Sequence, residues 1–361
     1  MKKLIMNNFK SCKNTVVNFG KLTVNLGMNS VGKSTVTQAV LLIKELFKQM
    51  NQNKLDRYEI SLNGPFDLHL GDYKNLTSSN IEFKIDKITI PFLECSNTYK
   101  ALYKVGKEYN SLKKKDLYKK DLFYLNAERL GPRNYLEIDT NKNELCGYHG
   151  EYTFHILNEI DGIRKNVESE KVFDRTDKSI LTRIQINNWI KYIVPDIEVF
   201  PKIEDAAMVT TAKYRQSNVG KMVESTPFNF GFGITYMLPI IVTCLIAEKG
   251  SMVIVENPEA HLHPKGQSNM GYFLAQMAHA GVNILCETHS EHIINGIRRY
   301  ALKNDMQPND ICLNYFMIED EQSVAKRVKL NENMEILDWP EGFYDQEEED
   351  LREIIQIRKT K

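Results

Sequence analysis

The octapeptide Gly27-Met28-Asn29-Ser30-Val31-Gly32-Lys33-Ser34 constrains this chain more than any other stretch, because it fits the pattern G-x-x-x-x-G-K-[ST]. An apolar run at 21–26 precedes it, and from Thr35 onward Val36, Ala39, Val40, Ile43 and Phe47 recur at spacings of three and four. The first pattern reads as a strand and the second as a helix over 34–49. A glycine loop between strand and helix turns successive backbone N–H groups and the helix amino end towards one anion. The glycines let the backbone approach, Lys33 reaches the β- and γ-phosphates of a nucleotide, and the Ser34 hydroxyl suits Mg²⁺. Such a unit belongs in an α/β sheet.

The rest of the chain supports that class. Short β-favouring runs at 4–9 and 15–19 open it, and residues 51–100 alternate apolar and polar, as in Ile81, Phe83 and Ile85. Residues 150–200 look mainly helical, with Leu181, Ile184, Ile186, Trp189, Ile190 and Ile193 closely spaced. Beyond 235 helix and strand alternate: helices at 236–248, 265–280 and 291–303, strands at 251–255 and 282–286. That alternation predicts a parallel sheet. Neither a heptad run nor a long repeat is visible, which excludes a coiled-coil arm or a solenoid.

The second half of a nucleotide site follows. Met252 to Val255 form an apolar run that ends in Glu256-Asn257-Pro258-Glu259, placing carboxylates at the carboxyl edge of a parallel sheet, where a Mg²⁺ ligand is needed. Ala260-His261-Leu262-His263-Pro264 comes next, and a further strand ends in Glu287-Thr288-His289-Ser290. Together these segments resemble the ATPase head of the SMC, RecF and OLD-like branch of the ABC superfamily. The stretches 124–133, 231–235 and 338–343 are similar to those of compact stand-alone AAA/ABC ATPases of prokaryotes, some of which serve anti-phage systems such as Septu.

The resemblance implies a fold and roles. The fold is an ABC-type ATPase head, a P-loop parallel sheet core plus an antiparallel β subdomain, with an inserted mainly helical lobe. Asn29, Ser30, Gly32, Lys33, Ser34 and Thr35 would cradle ATP, with Ser34 and Glu256 at Mg²⁺. His289 matches the switch histidine that senses the γ-phosphate. The stretch 229–235 resembles the signature motif, whose Gly231 and Gly233 would meet the nucleotide of a second protomer in a sandwich dimer or higher oligomer. Two departures stand out. Asn257 occupies the position of the usual catalytic Glu, and an amide cannot take a proton from water at neutral pH, so turnover is expected to be slow unless Glu259 or Glu287 polarises the water. No glutamine stands near 70–74, where a Q-loop is expected.

On this reading residues 1–95 and 226–330 form the head, 96–225 the lobe, and 331–361 a Trp-Pro loop and an acidic helix that pack on the head or on a partner. His261, His263 and His292 are expected to be hydrogen-bonded loop residues rather than Zn²⁺ ligands, although imidazoles at such spacings can converge on a metal. Arg129 and Arg133 suit either an anion or an ion pair. The chain has 361 residues, with 47 Lys plus Arg against 47 Asp plus Glu, so it lacks the bulk positive field of a general nucleic-acid binder. The eight lysines between 100 and 120, interleaved with tyrosines, offer nucleic acid a local patch or the solvent an ordinary surface. No apolar run is long enough to span a bilayer, no secretory leader is visible, and the six cysteines lack paired spacing, which together predict a cytoplasmic protein without a membrane partner. No nuclease pattern is evident, so an effector partner, a nuclease or a toxin, is implied by the resemblance.

Overall fold

The computed structural model describes residues 1–140, 146–173, 179–218, 221–338, 340 and 346–360. Strands β1 (Lys3–Phe9) and β2 (Cys12–Asn18) form a hairpin, and β3 (Leu22–Gly27) leads through the glycine loop into α1 (Lys33–Gln52). Helix α1 buries Val36, Ala39, Val40, Ile43 and Phe47, the face that their spacing defines. Then come β4 (Arg57–Ser61), α2 (Tyr73–Leu76), β5 (Ile81–Ile85), β6 (Ile88–Glu94) and β7 (Lys100–Lys104). These strands join β1 and β2 in an antiparallel sheet of order β2-β1-β5-β6-β7-β4.

The middle of the chain carries α3 (Tyr109–Leu112), α4 (Asp116–Lys119), β8 (Leu122–Leu125), β9 (Leu136–Glu137), α5 (Thr153–Gly162), α6 (Thr182–Ile193), β10 (Ile197–Glu204), β11 (Val209–Asn218) and β12 (Lys221–Ser225). The segment 96–225 therefore differs from a mainly helical lobe. It holds α5 and α6 against a small sheet of β9 to β12, and it gives β7 to the antiparallel sheet and β8 to the central one. The reason lies in local composition: residues 197–199 and 209–214 are rich in Val, Thr and Tyr, which fit a pleated surface.

The last third runs α7 (Phe232–Ile246), β13 (Met252–Glu256), α8 (Pro264–His279), β14 (Asn283–Glu287), α9 (Glu291–Lys303), β15 (Ile311–Glu319), β16 (Gln322–Leu330), β17 (Ile336–Leu337) and α10 (Gln346–Thr360). The central sheet has the order β17-β16-β15-β3-β14-β13-β8. Strands β15, β3, β14, β13 and β8 are parallel, so their carboxyl ends share one edge. Alternate residues face two cores. Ile254, Leu285 and Phe316 pack with α1 and the antiparallel sheet. Val253, Val255 and Cys286 pack with the helices α6 to α9 around Trp189.

The lysine-rich segment is partly absorbed into this body. Leu112, Leu117 and Tyr118 are buried, and Lys44 Nζ on α1 donates to the carbonyls of Leu117 and Lys120 at 3.0 and 2.5 Å. Lys100, Lys115 and Lys120 form ion pairs with Glu59, Asp86 and Glu248. Trp339 and Phe343 lie outside the described residues. Among those described, no helix is long and apolar enough to cross a membrane.

Candidate functional site

The glycine loop is held by backbone that other residues resist. Gly27 has φ 127° and Gly32 φ 105°. A Cβ on Gly27 would stand 2.3 Å from the Phe316 carbonyl oxygen, and one on Gly32 2.5 Å from Ser323 Oγ. Strands β15 and β16 thus back the loop directly, which requires glycine at both positions. Met28, Asn29 and Ser30 are exposed at its tip, Thr35 is buried behind it, and Lys33 is buried along its floor. Lys33 Nζ donates to the carbonyls of Gly27 at 3.0 Å and Met28 at 2.5 Å. Burial lowers the Lys33 pKa, against the opposing pull of Glu287 and Glu259.

Glu256 and Glu287 end neighbouring parallel strands, and together with Asn25, two residues before the end of β3, they are register partners in a row. Ser34 Oγ donates to Glu287 Oε1 at 3.0 Å. Burial first, then the Glu256 charge, pushes the Glu287 carboxyl up to about 7, against Lys33 and the Ser34 hydrogen bond. Glu256 accepts from the Tyr124 hydroxyl and from the Ala127 N–H, both at 3.2 Å, and burial raises its pKa as well. The edge therefore offers oxygen donors only, a hydroxyl and two carboxylates, which is the donor set of a hard divalent cation. Glu287 Oε2 is buried without a hydrogen-bond partner, an observation that a cation or water explains.

Glu259 is tied elsewhere. Thr288 Oγ1 donates to Glu259 Oε2 at 2.7 Å and the His289 N–H to Oε1 at 2.8 Å, so this carboxylate ties the loop after β13 to the turn after β14. His289 is itself exposed. Partial burial first and then Lys33 lower the His289 pKa, which favours the neutral imidazole. Asn257 has φ 47°, and its N–H donates to the Glu287 carbonyl at 2.8 Å.

Arg129 is engaged by main-chain carbonyls. It is 2% exposed, and it donates to the carbonyls of Asn126, Glu256 and Asn257, each at 2.6 Å, and of Tyr236 at 3.0 Å. Burial lowers its pKa to about 10, and it remains a cation at neutral pH. This strut fixes the carboxyl end of β13 and joins it to α7. Arg133 is exposed, and its NH1 donates to the Pro132 carbonyl at 3.2 Å. Of the other histidines singled out by the sequence, His261 and His263 lie in the loop before α8, whereas His292 is not a loop residue but stands in the first turn of α9. His263 caps α8 by accepting from the Lys265 N–H at 3.3 Å, His261 packs its ring on Tyr236 and Phe232, and His292 lies 4.0 Å from Glu291. Among the described residues no three His, Cys, Asp or Glu side chains form a metal cluster.

Lys33, Ser34, Glu256, Glu259 and His289 thus gather at the ends of β3, β13 and β14. Gly231 and Gly233 lie at the amino end of α7. Gly233 is required sterically, since a Cβ there would meet the His261 carbonyl oxygen at 2.7 Å. Gly231 has an ordinary φ of −62° and nothing within 4 Å of an added Cβ. Sequence reasoning missed Tyr124 and Arg129 as supports of Glu256, and it missed the Ser34–Glu287 link. The only local signal for the last was an acid directly before Thr288-His289-Ser290.

A family model described as "AAA domain, putative AbiEii toxin, Type IV TA system" matches residues 22–295, and one described as a protein of unknown function matches 306–354. No curated protein matches the chain. Among solved structures, an SMC head bound to the C-terminal winged-helix domain of ScpA is 14% identical with a TM-score of 0.53, covering 92% of this chain and 98% of that one. The SMC head domain from Thermotoga maritima is 11% identical with a TM-score of 0.44, covering 91% and 99%. The Smc head with an extended coiled coil from Pyrococcus furiosus is 12% identical with a TM-score of 0.48, covering 99% of both chains. The first of these carries the fold, that of an ABC-type ATPase head of the SMC kind.

Proposed function

The chain belongs to the AAA-domain family, whose model spans residues 22–295, and from that premise we propose that it binds ATP with Mg²⁺ and works as a nucleotide-dependent switch. The observation that carries the reading is the convergence of Lys33, Ser34, Glu256, Glu259 and His289 on one sheet edge beside an anion-binding loop. Loop N–H groups and the start of α1 would hold the phosphates. Lys33 would exchange the carbonyls of Gly27 and Met28 for phosphate oxygens. Ser34 and a carboxylate of the sheet edge, Glu256 by the resemblance or its neighbour Glu287, would hold Mg²⁺, which when bound would supply neutralisation of phosphate charge. His289 and Glu259, linked through the His289 N–H, would position a water and report the γ-phosphate.

Hydrolysis would be slow, because the amide of Asn257 stands where a base is expected. That same residue favours a second reading, a low-turnover ATP-held scaffold that restrains a partner. In either case two heads would close on the nucleotide through Gly231 and Gly233, and an effector, a nuclease or toxin, would be held or released by the cycle. The toxin–antitoxin wording of the matched family description agrees with a role beside an effector in defence. Nucleic acid would reach only the lysines of 100–120 that internal acids leave accessible. Phosphate release from ATP and ATP affinity are the direct test: wild type binds ATP and releases phosphate slowly, while Lys33→Ala loses both. A wild-type chain that binds no ATP overturns the proposal, and one that binds without release selects the scaffold.

A further inference from the structure

This inference rests on the nucleotide reading above and concerns which carboxylate meets the cation. Glu256, at the end of β13, has both oxygens engaged within the protein, one by the Tyr124 hydroxyl and one by the Ala127 N–H. Its main-chain carbonyl is held in addition by Arg129 at 2.6 Å. Glu287 is placed differently. It is 8% exposed, its Oε1 accepts from Ser34 Oγ at 3.0 Å, and its Oε2 is buried with no partner. A buried carboxylate oxygen without a donor is costly unless a cation or water satisfies it.

The spacing also fits a shared ion. Mg²⁺ takes an octahedron of oxygens at about 2.1 Å, so adjacent ligand oxygens lie about 3.0 Å apart. Ser34 Oγ and Glu287 Oε1 stand 3.0 Å apart. The neighbour on the other side supports Glu287 rather than competing with it. Asn25, its register partner on β3, is fully buried, accepts at Oδ1 from Asn314 Nδ2 at 3.2 Å, and has an Nδ2 without a partner. An unused amide donor beside an unused carboxylate oxygen suits a bound water or the carboxylate itself in a second orientation. Few other ligands are needed from the protein, because a nucleotide-bound Mg²⁺ takes most of its shell from phosphate and water.

We propose that Glu287 is the carboxylate that binds the divalent cation beside Ser34, and that Glu256 is a positioning residue that holds the loop at 126–129 against β13. The switch strand then supplies the cation ligand and the phosphate-sensing His289 from the same turn, so loss of the γ-phosphate and loss of the metal are felt by one element.

The test uses the full chain, Mn²⁺ as the paramagnetic probe, and a non-hydrolysable ATP analogue. Nucleotide affinity is measured with EDTA, and Mn²⁺ affinity is measured by electron paramagnetic resonance at saturating analogue. Glu287→Gln is expected to weaken Mn²⁺ by at least about tenfold with nucleotide affinity in EDTA unchanged, and Glu256→Gln by less than about threefold. Glu287→Asp, which keeps the charge one methylene short, is expected to fall between wild type and Glu287→Gln, and it decides the matter if the glutamine variant does not fold. If Glu287→Gln and Glu287→Asp hold Mn²⁺ as wild type does, or if Glu256→Gln shows the larger loss, the assignment is wrong while the nucleotide reading stands. A wild-type chain that binds the analogue neither with nor without Mn²⁺ removes both.

Discussion

Asn257 is explained by backbone as much as by chemistry. At φ 47° it lies in the left-handed region, which asparagine tolerates better than glutamate does. Its carbonyl takes Arg129 NH2 and the Ala260 N–H, and its own N–H binds the Glu287 carbonyl, so the turn cannot relax without breaking three bonds. Asn257→Glu is therefore expected to raise phosphate release by about tenfold or more while lowering stability by about 1 kcal/mol. Turnover by phosphate assay and stability by urea melt check the pair. An unchanged rate with the stability loss would show that the amide is not what limits turnover. At this scale the sequence was legible where function is local: the loop from Gly27 to Ser34 and the triplet Thr288-His289-Ser290 are contiguous. It was opaque where a residue acts at a distance. Arg129 spends its donors on carbonyls as far as 128 positions away, and no spacing rule points to them.

Elements were read well wherever a 3.6 or 2 period ran unbroken. The helix expected at 291–303 is α9 with the same bounds, and β13 and β14 fall within a residue of expectation. Strand β8 was missed because its partner, β13, pairs Leu122 with Met252, and the four residues 122–125 carry no alternation to announce it. The seam of α8 and α9 was equally hidden. A Cβ on Gly296 would lie 1.9 Å from the Ser268 carbonyl oxygen, and one on Gly271 2.0 Å from that of Ile293, so the two helices touch backbone to backbone. Ser290 caps α9 through the His292 and Ile293 N–H groups, one residue after His289, which makes the seam the support of the His289 turn. Gly296→Ala is expected to cost at least about 2–3 kcal/mol and to weaken ATP binding by displacing that turn. Gly162→Ala on α5, where an added Cβ meets nothing within 4 Å, is the control and is expected to be neutral or stabilising by up to about 1 kcal/mol. Thermal melts of both variants separate a crowded seam from a general intolerance of alanine.

At the scale of the whole molecule, the proposed closure of two heads assigns one half-site to the glycine loop and the other to the start of α7. At the loop tip Met28 is 71% exposed, and around the start of α7 Phe228 and Phe232 are 58% and 53% exposed. Exposed apolar side chains beside an anion-binding loop and beside an uncapped helix amino end are what a surface closed by a second copy requires. Gly231 separates this account from a purely structural one. Its φ is ordinary and the space around it is open, so the single chain gives no reason for glycine there, whereas Gly27, Gly32 and Gly233 all have one. A large side chain at 231 should cost the monomer little and obstruct only what approaches from outside. Gly231→Tyr is therefore expected to melt like wild type and to bind ATP with wild-type affinity, yet to remain monomeric by light scattering when ATP makes the wild type dimerise. Its phosphate release should fall with the dimer, since the opposite head would supply the contacts to the γ-phosphate. If Gly231→Tyr dimerises and turns over normally, closure does not run through the start of α7, and the exposed phenylalanines serve another partner.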